Sequence, residues 1–212
     1  MDVISLNIGK RQAIKAKSGT TGIYKRPLST SVIINEQGVE GDVIVDVEHH
    51  GGVDQAVYIY GMPDYEWWSA ELKRDLQPGT FGENITISEL ESATLYVGDQ
   101  LQLGTVILEV TTSRIPCVTL AERMQDAQFV KKFTNARRYG AYCRVLQAGQ
   151  VQIGDAVSLI PYAGEKVGIN ELADAFMRGG LSQEQLHRLL SVPLAIRARI
   201  HHESKLNPDP KK

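Results

Sequence analysis

The sequence predicts a mainly β fold carrying some helix: a β-barrel over residues 1–162, then a small C-terminal three-helix subdomain over residues 163–212. Two observations predict it. Up to about residue 160, short β-branched runs recur, each bounded by Gly, Asp or Asn. Many short strands joined by glycine turns read as a barrel or closed sandwich. From Gly168 onwards the alternation gives way to helical periodicity.

The strand candidates are residues 31–34, 56–60, 84–87, 100–103, 106–111, 141–146 and 156–160. Val97-Gly98-Asp99 and Ile153-Gly154-Asp155 each precede such a run and read as hairpin turns. A helix over residues 63–76 interrupts the strands, with Pro63 in its first turn and Tyr65, Trp68 and Leu72 at helical spacing. A second, broken helical stretch follows Cys117 and runs to about Phe133.

In the tail, Ile169, Leu172, Ala173 and Phe176 share one helical face, and Gly179-Gly180 supplies the stop. Ser182-Gln183-Glu184-Gln185 is a capping box that opens a second helix striped by Leu186, Leu189 and Leu190. Ser191-Val192-Pro193 turns the chain into a third helix over residues 194–205. Three short helices bury little alone, so they are expected to pack on the barrel. Residues 207–212 are expected to fray.

Composition narrows the function classes. With 212 residues, 42% of them hydrophobic, the chain builds one good core and a small annex. A formal net charge of -2 removes the broad electrostatic case for nucleic acid or an anionic membrane as partner. The three-helix tail also resembles a helix-turn-helix reader, but residues 161–212 hold eight Lys or Arg against six Asp or Glu, too small a surplus for a basic recognition face. The sequence shows no secretory signal and no apolar run of spanning length, so a soluble cytoplasmic protein is expected. Cys117 and Cys143 make no disulfide framework in a chain of this size.

The most specific local signal is Arg114-Ile115-Pro116-Cys117, which places a thiol where a strand ends and a helix begins. First-turn N–H groups and the nearby guanidinium both favour an anion there, and a thiolate is the form that binds metals and attacks electrophiles. The plain alternative is a small buried hydrophobe. Elsewhere, glycines stand beside His, Asp, Glu or Asn in Gly38-Val39-Glu40-Gly41-Asp42, in His49-His50-Gly51-Gly52 and in Phe81-Gly82-Glu83-Asn84. Such segments either bring backbone N–H groups close to a ligand or simply form capped turns. A zinc site from His49, His50, Cys117 and Cys143 is a poor reading, because adjacent histidines rarely ligate one tetrahedral ion.

Taken in order, these segments resemble the MOSC family. The set comprises Gly38-Val39-Glu40-Gly41-Asp42, His50-Gly51-Gly52 with Asp54 and Ala56, Phe81-Gly82-Glu83-Asn84, Gly98-Asp99, Arg114 with Pro116-Cys117, and Arg138-Tyr139-Gly140-Ala141-Tyr142. MOSC domains are similar to the C-terminal part of molybdenum-cofactor sulfurase. The resemblance covers residues 1–160, and the tail is similar to the three-helix appendage of the YiiM-type subgroup, bacterial proteins linked to resistance against N-hydroxylaminopurine.

The resemblance implies a barrel that binds the molybdenum–pterin cofactor (molybdopterin), with Cys117 matching the family's cysteine as molybdenum ligand or as carrier of transferable sulfur. A soft thiolate suits either task. Lys25 and Arg114 are the first choices for donors to the cofactor's phosphate and complete the catalytic set with Cys117. His50, Asp54, Glu83, Asn84 and Arg138 make up the rest of the cofactor-binding set. Two function classes follow. One is a molybdenum-dependent oxidoreductase that reduces N-hydroxylated purines with electrons from a separate reductase. The other is a sulfur or cofactor carrier using a Cys117 persulfide. MOSC reductases carry an additional N-terminal β-barrel domain, whereas this sequence begins directly with the MOSC strands. Either the tail and a second protomer, in a homodimer, complete the pocket, or the cofactor is held weakly.

Overall fold

The computed structural model describes residues 1–206, and the fraying expected of residues 207–212 lies outside the described residues. In chain order, β1 (Val3–Ile8), β2 (Gln12–Ala13), β3 (Thr20–Thr21), β4 (Arg26–Pro27), β5 (Val32–Asn35) and β6 (Gly38–Val39) precede α1 (Val47–His50). Then come β7 (Val57–Gly61), α2 (Met62–Leu72), β8 (Ile85–Ile87), β9 (Gln100–Leu103) and β10 (Val106–Ser113). The helices α3 (Val118–Met124) and α4 (Phe129–Ala136) follow, then β11 (Ala141–Gln147), β12 (Gly149–Val151) and β13 (Val157–Ile160). The tail is α5 (Ile169–Arg178), α6 (Gln183–Leu190) and α7 (Ile196–Leu206). This is a mixed α/β architecture, and among the described residues α1 is its one α-helix outside the stretches that the sequence marks as helical.

Eight strands form one sheet in the order β13-β9-β10-β11-β7-β8-β1-β4, while β12, β5 and β6 form a second. All neighbours in the large sheet are antiparallel except β7 and β8. The closed barrel expected from sequence is not formed as a continuous ladder. The outer edge of β1 is divided: its last two residues pair with β4, and near its start an isolated Asp2–Ala156 bridge reaches towards β13. Three backbone hydrogen bonds support that bridge, from Val3 to Asp155, Gly154 to Val3 and Val157 to Met1. The turn at Gly154 and Asp155 carries the chain away before a ladder extends.

The two glycine–aspartate turns are present, but neither closes a hairpin. In each, the aspartate accepts from a backbone N–H three residues earlier, Tyr96 to Asp99 Oδ2 and Gln152 to Asp155 Oδ2, both at 2.9 Å. The strands flanking Gly154 belong to different sheets, β12 pairing with β5 and β13 with β9. The helix after Pro63 ends at Leu72, short of Leu76, because Lys73 turns left-handed at φ 51.

An apolar core lies inside the large sheet around Leu6, Ile34, Ile59, Ile85, Leu101 and Leu108. A second, aromatic core joins Tyr60, Tyr65, Trp68, Phe81, Phe129 and Phe133 and fastens α2, α3 and α4 to the sheet. The tail helices close as their sequence signals foretell. Gly179 ends α5 at φ 66, and the Ser182–Gln185 capping box is complete. They pack on the sheet: Ala195 N–H donates to Thr111 O at 3.1 Å, and Arg144 donates to the carbonyls of Pro193 and Leu194.

Candidate active site

Cys117 lies where the sequence places it, between β10 and α3. Its backbone is extended (φ −135, ψ 171) as the N-cap residue, and its carbonyl accepts from Leu120 at 3.0 Å and Ala121 at 3.2 Å. The side chain is partly exposed and stands where two cavities meet. The inner pocket, about 90 Å³, is lined by Lys25, Asn84, Tyr58 and Arg114 among others. The outer cleft, about 790 Å³, runs under α5 and α7. His50, Cys117 and Tyr142 line both.

The electrostatics favour the thiolate. Burial alone would push the Cys117 thiol up, but a hydrogen bond with His50, the Arg114 guanidinium and the Leu120 N–H outweigh it and hold the pKa at about 6. Sequence reasoning anticipated the guanidinium and missed the imidazole as the thiol's partner. The ring of His50 is oriented by Tyr142, whose hydroxyl lies 3.1 Å from Nδ1. Burial pushes the Tyr142 phenol up to about 12 against the pull of Arg114, so it is un-ionised at neutral pH.

Arg114 is 3% exposed. Its guanidinium lies 5.6 Å from the Tyr58 ring centroid and 5.8 Å from that of Phe133. Its Nη1 is buried with no hydrogen-bond partner. An orphaned donor on a buried cation, in the wall of a pocket, is a ready partner for an anionic ligand.

Lys25 also lines the inner pocket, but it is ion-paired with Asp42 and both side chains are nearly buried. Burial pushes Lys25 below the usual lysine range, while Asp42 and Glu83 act the other way. Asp42 is a hub that the sequence reading passed over as a turn residue. It accepts from Gly9 N–H at 2.7 Å and from Asn84 Nδ2 at 2.9 Å. Asn84 in turn accepts from Tyr58 N–H at 3.1 Å, so one residue braces β7 and faces the pocket.

Three residues of the expected set lie elsewhere. Glu83 is fully buried behind the pocket wall, accepting from Tyr65 at 2.5 Å, Gly79 N–H at 2.6 Å and Thr86 at 2.9 Å. Burial pushes its carboxyl up, and those donors oppose the shift. Arg138 pairs with buried Asp64 at 2.6 Å and covers Trp67 at 5.1 Å. Asp54 pairs with Arg144 at 3.1 Å and accepts the Ile196 N–H at 2.7 Å, fastening the tail. Neither Asp54 nor Arg138 lines either cavity.

A family model described as "MOSC domain" matches residues 46–158. YflK of Bacillus subtilis, described as an uncharacterized protein, is 37% identical over 166 residues, covering 77% of this chain and 75% of its own. A protein of Gibberella moniliformis described as a reductase is 35% identical over 153 residues, 68% of this chain, which spans only 26% of that longer protein. The crystal structure of YiiM from Geobacillus stearothermophilus superposes with a TM-score of 0.80 at 25% identity, covering 97% of this chain and 98% of that one. With the Cys117 motif inside the matched segment and the tail inside the superposed one, the chain belongs to the MOSC domain family as a YiiM-type protein.

Proposed function

We propose that this protein binds the molybdenum–pterin cofactor where the inner pocket and the outer cleft meet at Cys117, with Cys117 as a molybdenum ligand, and takes part in the reductive detoxification of N-hydroxylated purines. The observation that carries this reading is the pairing of a thiolate-prone Cys117 with the unpartnered, buried Nη1 of Arg114. One offers a soft ligand and the other an anion-binding donor. Among the described residues, no three His, Cys, Asp or Glu side chains group to hold a metal ion. A metal bound at Cys117 therefore brings its remaining ligands with it, as a pterin-bound metal does. MOSC domains are generally associated with this cofactor, and the fungal relative's description as a reductase points the same way.

When bound, the cofactor supplies a two-electron redox centre. The chain's own residues hold and shield it. Arg114 offers Nη1 to an anionic group. Asp42 fixes Lys25 and Asn84 at the wall. Tyr142 orients His50, which keeps the thiolate hydrogen-bonded. Converting R–NHOH to R–NH₂ and water consumes two electrons and two protons, so a separate reductase must deliver the electrons. Residues 1–162 form the cofactor-binding unit in this reading, and residues 163–212 form its appended subdomain.

Molybdenum and pterin analysis of protein purified from a cofactor-competent host tests the proposal. Wild type should carry both. Cys117→Ser should lose molybdenum and protection against N-hydroxylaminopurine while its melting temperature barely changes. Full protection by a well-folded Cys117→Ser protein would sink this reading. One observation favours the sulfur-carrier alternative: the thiolate-prone sulfur also faces the outer cleft. Cyanide-releasable sulfur on Cys117 in protein free of molybdenum would select that alternative.

A further inference from the structure

Residues 3–35 carry six cations, Lys10, Arg11, Lys15, Lys17, Lys25 and Arg26, and no Asp or Glu, which leaves 17 Lys or Arg against 25 Asp or Glu in the rest of the chain. Lys25 is neutralised by Asp42. Four of the others gather on one hairpin: Lys10 and Arg11 lead into β2, and Lys15 and Lys17 lie in the turn to β3. The two strands make a small sheet of their own, pairing Gln12 with Thr21 and Ala13 with Thr20. Ile14 N–H donates to Gly19 O at 3.1 Å and Gly19 N–H to Ala16 O at 2.8 Å, which closes the turn. All four cationic side chains are exposed. Among the described residues none of them is ion-paired, and Arg11 donates to the Thr20 hydroxyl at 3.3 Å. Surface cations elsewhere find carboxylates, as Lys132 does at Asp126 and Arg137 at Asp174. Like charges gathered on one hairpin repel one another, and a partner of opposite sign relieves that repulsion.

We infer that the β2–β3 hairpin is the docking surface for a small acidic electron-carrier protein. Its turn stands at the site: Ala16, Lys17 and Ser18 line the outer cleft, and Ser18, Thr20 and Thr21 line the inner pocket. A protein seated there covers the opening that leads to Cys117. Of the two acids in the outer lining, Asp46 is engaged by His49 at 2.9 Å, which leaves Glu48 against the hairpin's four cations. The same cleft presents apolar surface, with Val118, the residue after Cys117, 69% exposed. Apolar surface beside a charged rim suits a transient protein interface, in which the charges set the encounter rate. The rest of the chain is net negative, so a long polyanion such as duplex nucleic acid is repelled beyond the hairpin, whereas a compact acidic protein needs only this patch. The surface identifies the kind of donor that the functional reading requires, and it depends on that reading only for the partner's redox role. A one-electron carrier is oxidised at each visit, so two visits deliver the two electrons that the proposed reduction consumes.

Stopped-flow association with two acidic electron carriers, a plant-type ferredoxin and a flavodoxin, tests the surface whether or not the protein holds a cofactor. Binding to wild type should be saturable, with an association rate that falls about tenfold between ~0.01 M and ~0.15 M salt. Lys10→Glu/Lys15→Glu should slow association at low salt about tenfold while dissociation barely changes. Neither lysine lines a cavity, so molybdenum content and melting temperature should match wild type. Lys131→Glu, a charge reversal at an exposed site on α4, should leave association within about twofold of wild type. No saturable binding of either carrier, unchanged association in the double variant, comparable slowing by Lys131→Glu, or tighter binding of short duplex DNA would each overturn the assignment. Molybdenum retention without carrier binding would defeat only the docking surface. Carrier binding by protein that never retains molybdenum would defeat the cofactor reading and leave the surface standing.

Discussion

Asp42 neutralises Lys25 inside the wall of the inner pocket, with 5% and 8% of the two side chains exposed. The lysine is therefore not a free cation awaiting a phosphate. Asp42 fixes its position while also holding Gly9 and Asn84, so three strand regions meet at one carboxylate.

Breaking this pair should be costly from one side and cheaper from both. Lys25→Met leaves a buried carboxylate uncompensated and should lower unfolding free energy by about 3–5 kcal/mol. Adding Asp42→Asn should recover a substantial part of that loss. Urea unfolding of both variants measures it. A Lys25→Met loss of less than about 1 kcal/mol would mean that the pair behaves as a solvated surface contact.

Alkylation of Cys117 should report its surroundings directly. The thiolate reacts, so the iodoacetamide rate should rise through a midpoint near the thiol's pKa of about 6. His50→Gln and Arg114→Met remove two of the groups that favour the anion, and both should move the midpoint upwards. Cys143 should stay unmodified in native protein, since it is fully buried and burial pushes its thiol up. Mass spectrometry of alkylated peptides across pH distinguishes the two thiols.

Local signals carried the architecture further than they carried the site. Strand positions, the Ser182 capping box and the Gly179 stop depend on neighbours in sequence, and they stand in the structure much as read. Closure of the sheet depends on how residues 154–157 meet β1, which no local pattern encodes. In the site, Cys117, Arg114, His50, Asn84 and Lys25 do line one pocket. Asp54 carries a motif position yet serves the tail, because its partners Arg144 and Ile196 are 90 and 142 residues away. Asp42 and Tyr142 were visible in the quoted segments, but their roles as hub and as orienting hydroxyl arise only from long-range packing. Nothing in the sequence marked His201 and His202 beyond a cationic helix face.

Acid should loosen the tail through His202. Its folded pKa of about 4 lies below the ordinary 6.5, so between those values the unfolded chain binds the extra proton. Stability is therefore complete above 6.5 and is lost as pH falls towards 4. The full loss is about 3 kcal/mol at most. His201, also shifted downwards by burial and Lys205, acts in the same direction. Unfolding free energies measured from about pH 7 to about pH 4 should fall steeply in wild type and less steeply in His202→Leu. Parallel pH profiles for the two proteins would remove this histidine as a cause.

Asp54 should prove a fastener of the tail. Its Oδ2 accepts the Ile196 N–H at 2.7 Å in the first turn of α7, and its Oδ1 faces Arg144 at 3.1 Å. Arg144 in turn donates to the carbonyls of Pro193 and Leu194. Asp54→Ala removes an N-terminal acceptor and frees that arginine, which should cost about 1–2 kcal/mol. Amide exchange over residues 193–206 should quicken, since Asp54 holds the first turn of α7. The alkylation midpoint of Cys117 should not move, since the groups that set it, His50 and Arg114, do not depend on Asp54. Hydrogen-exchange mass spectrometry alongside the thiol titration separates the outcomes. Unchanged exchange in the tail together with lost molybdenum would instead return Asp54 to the cofactor-binding set.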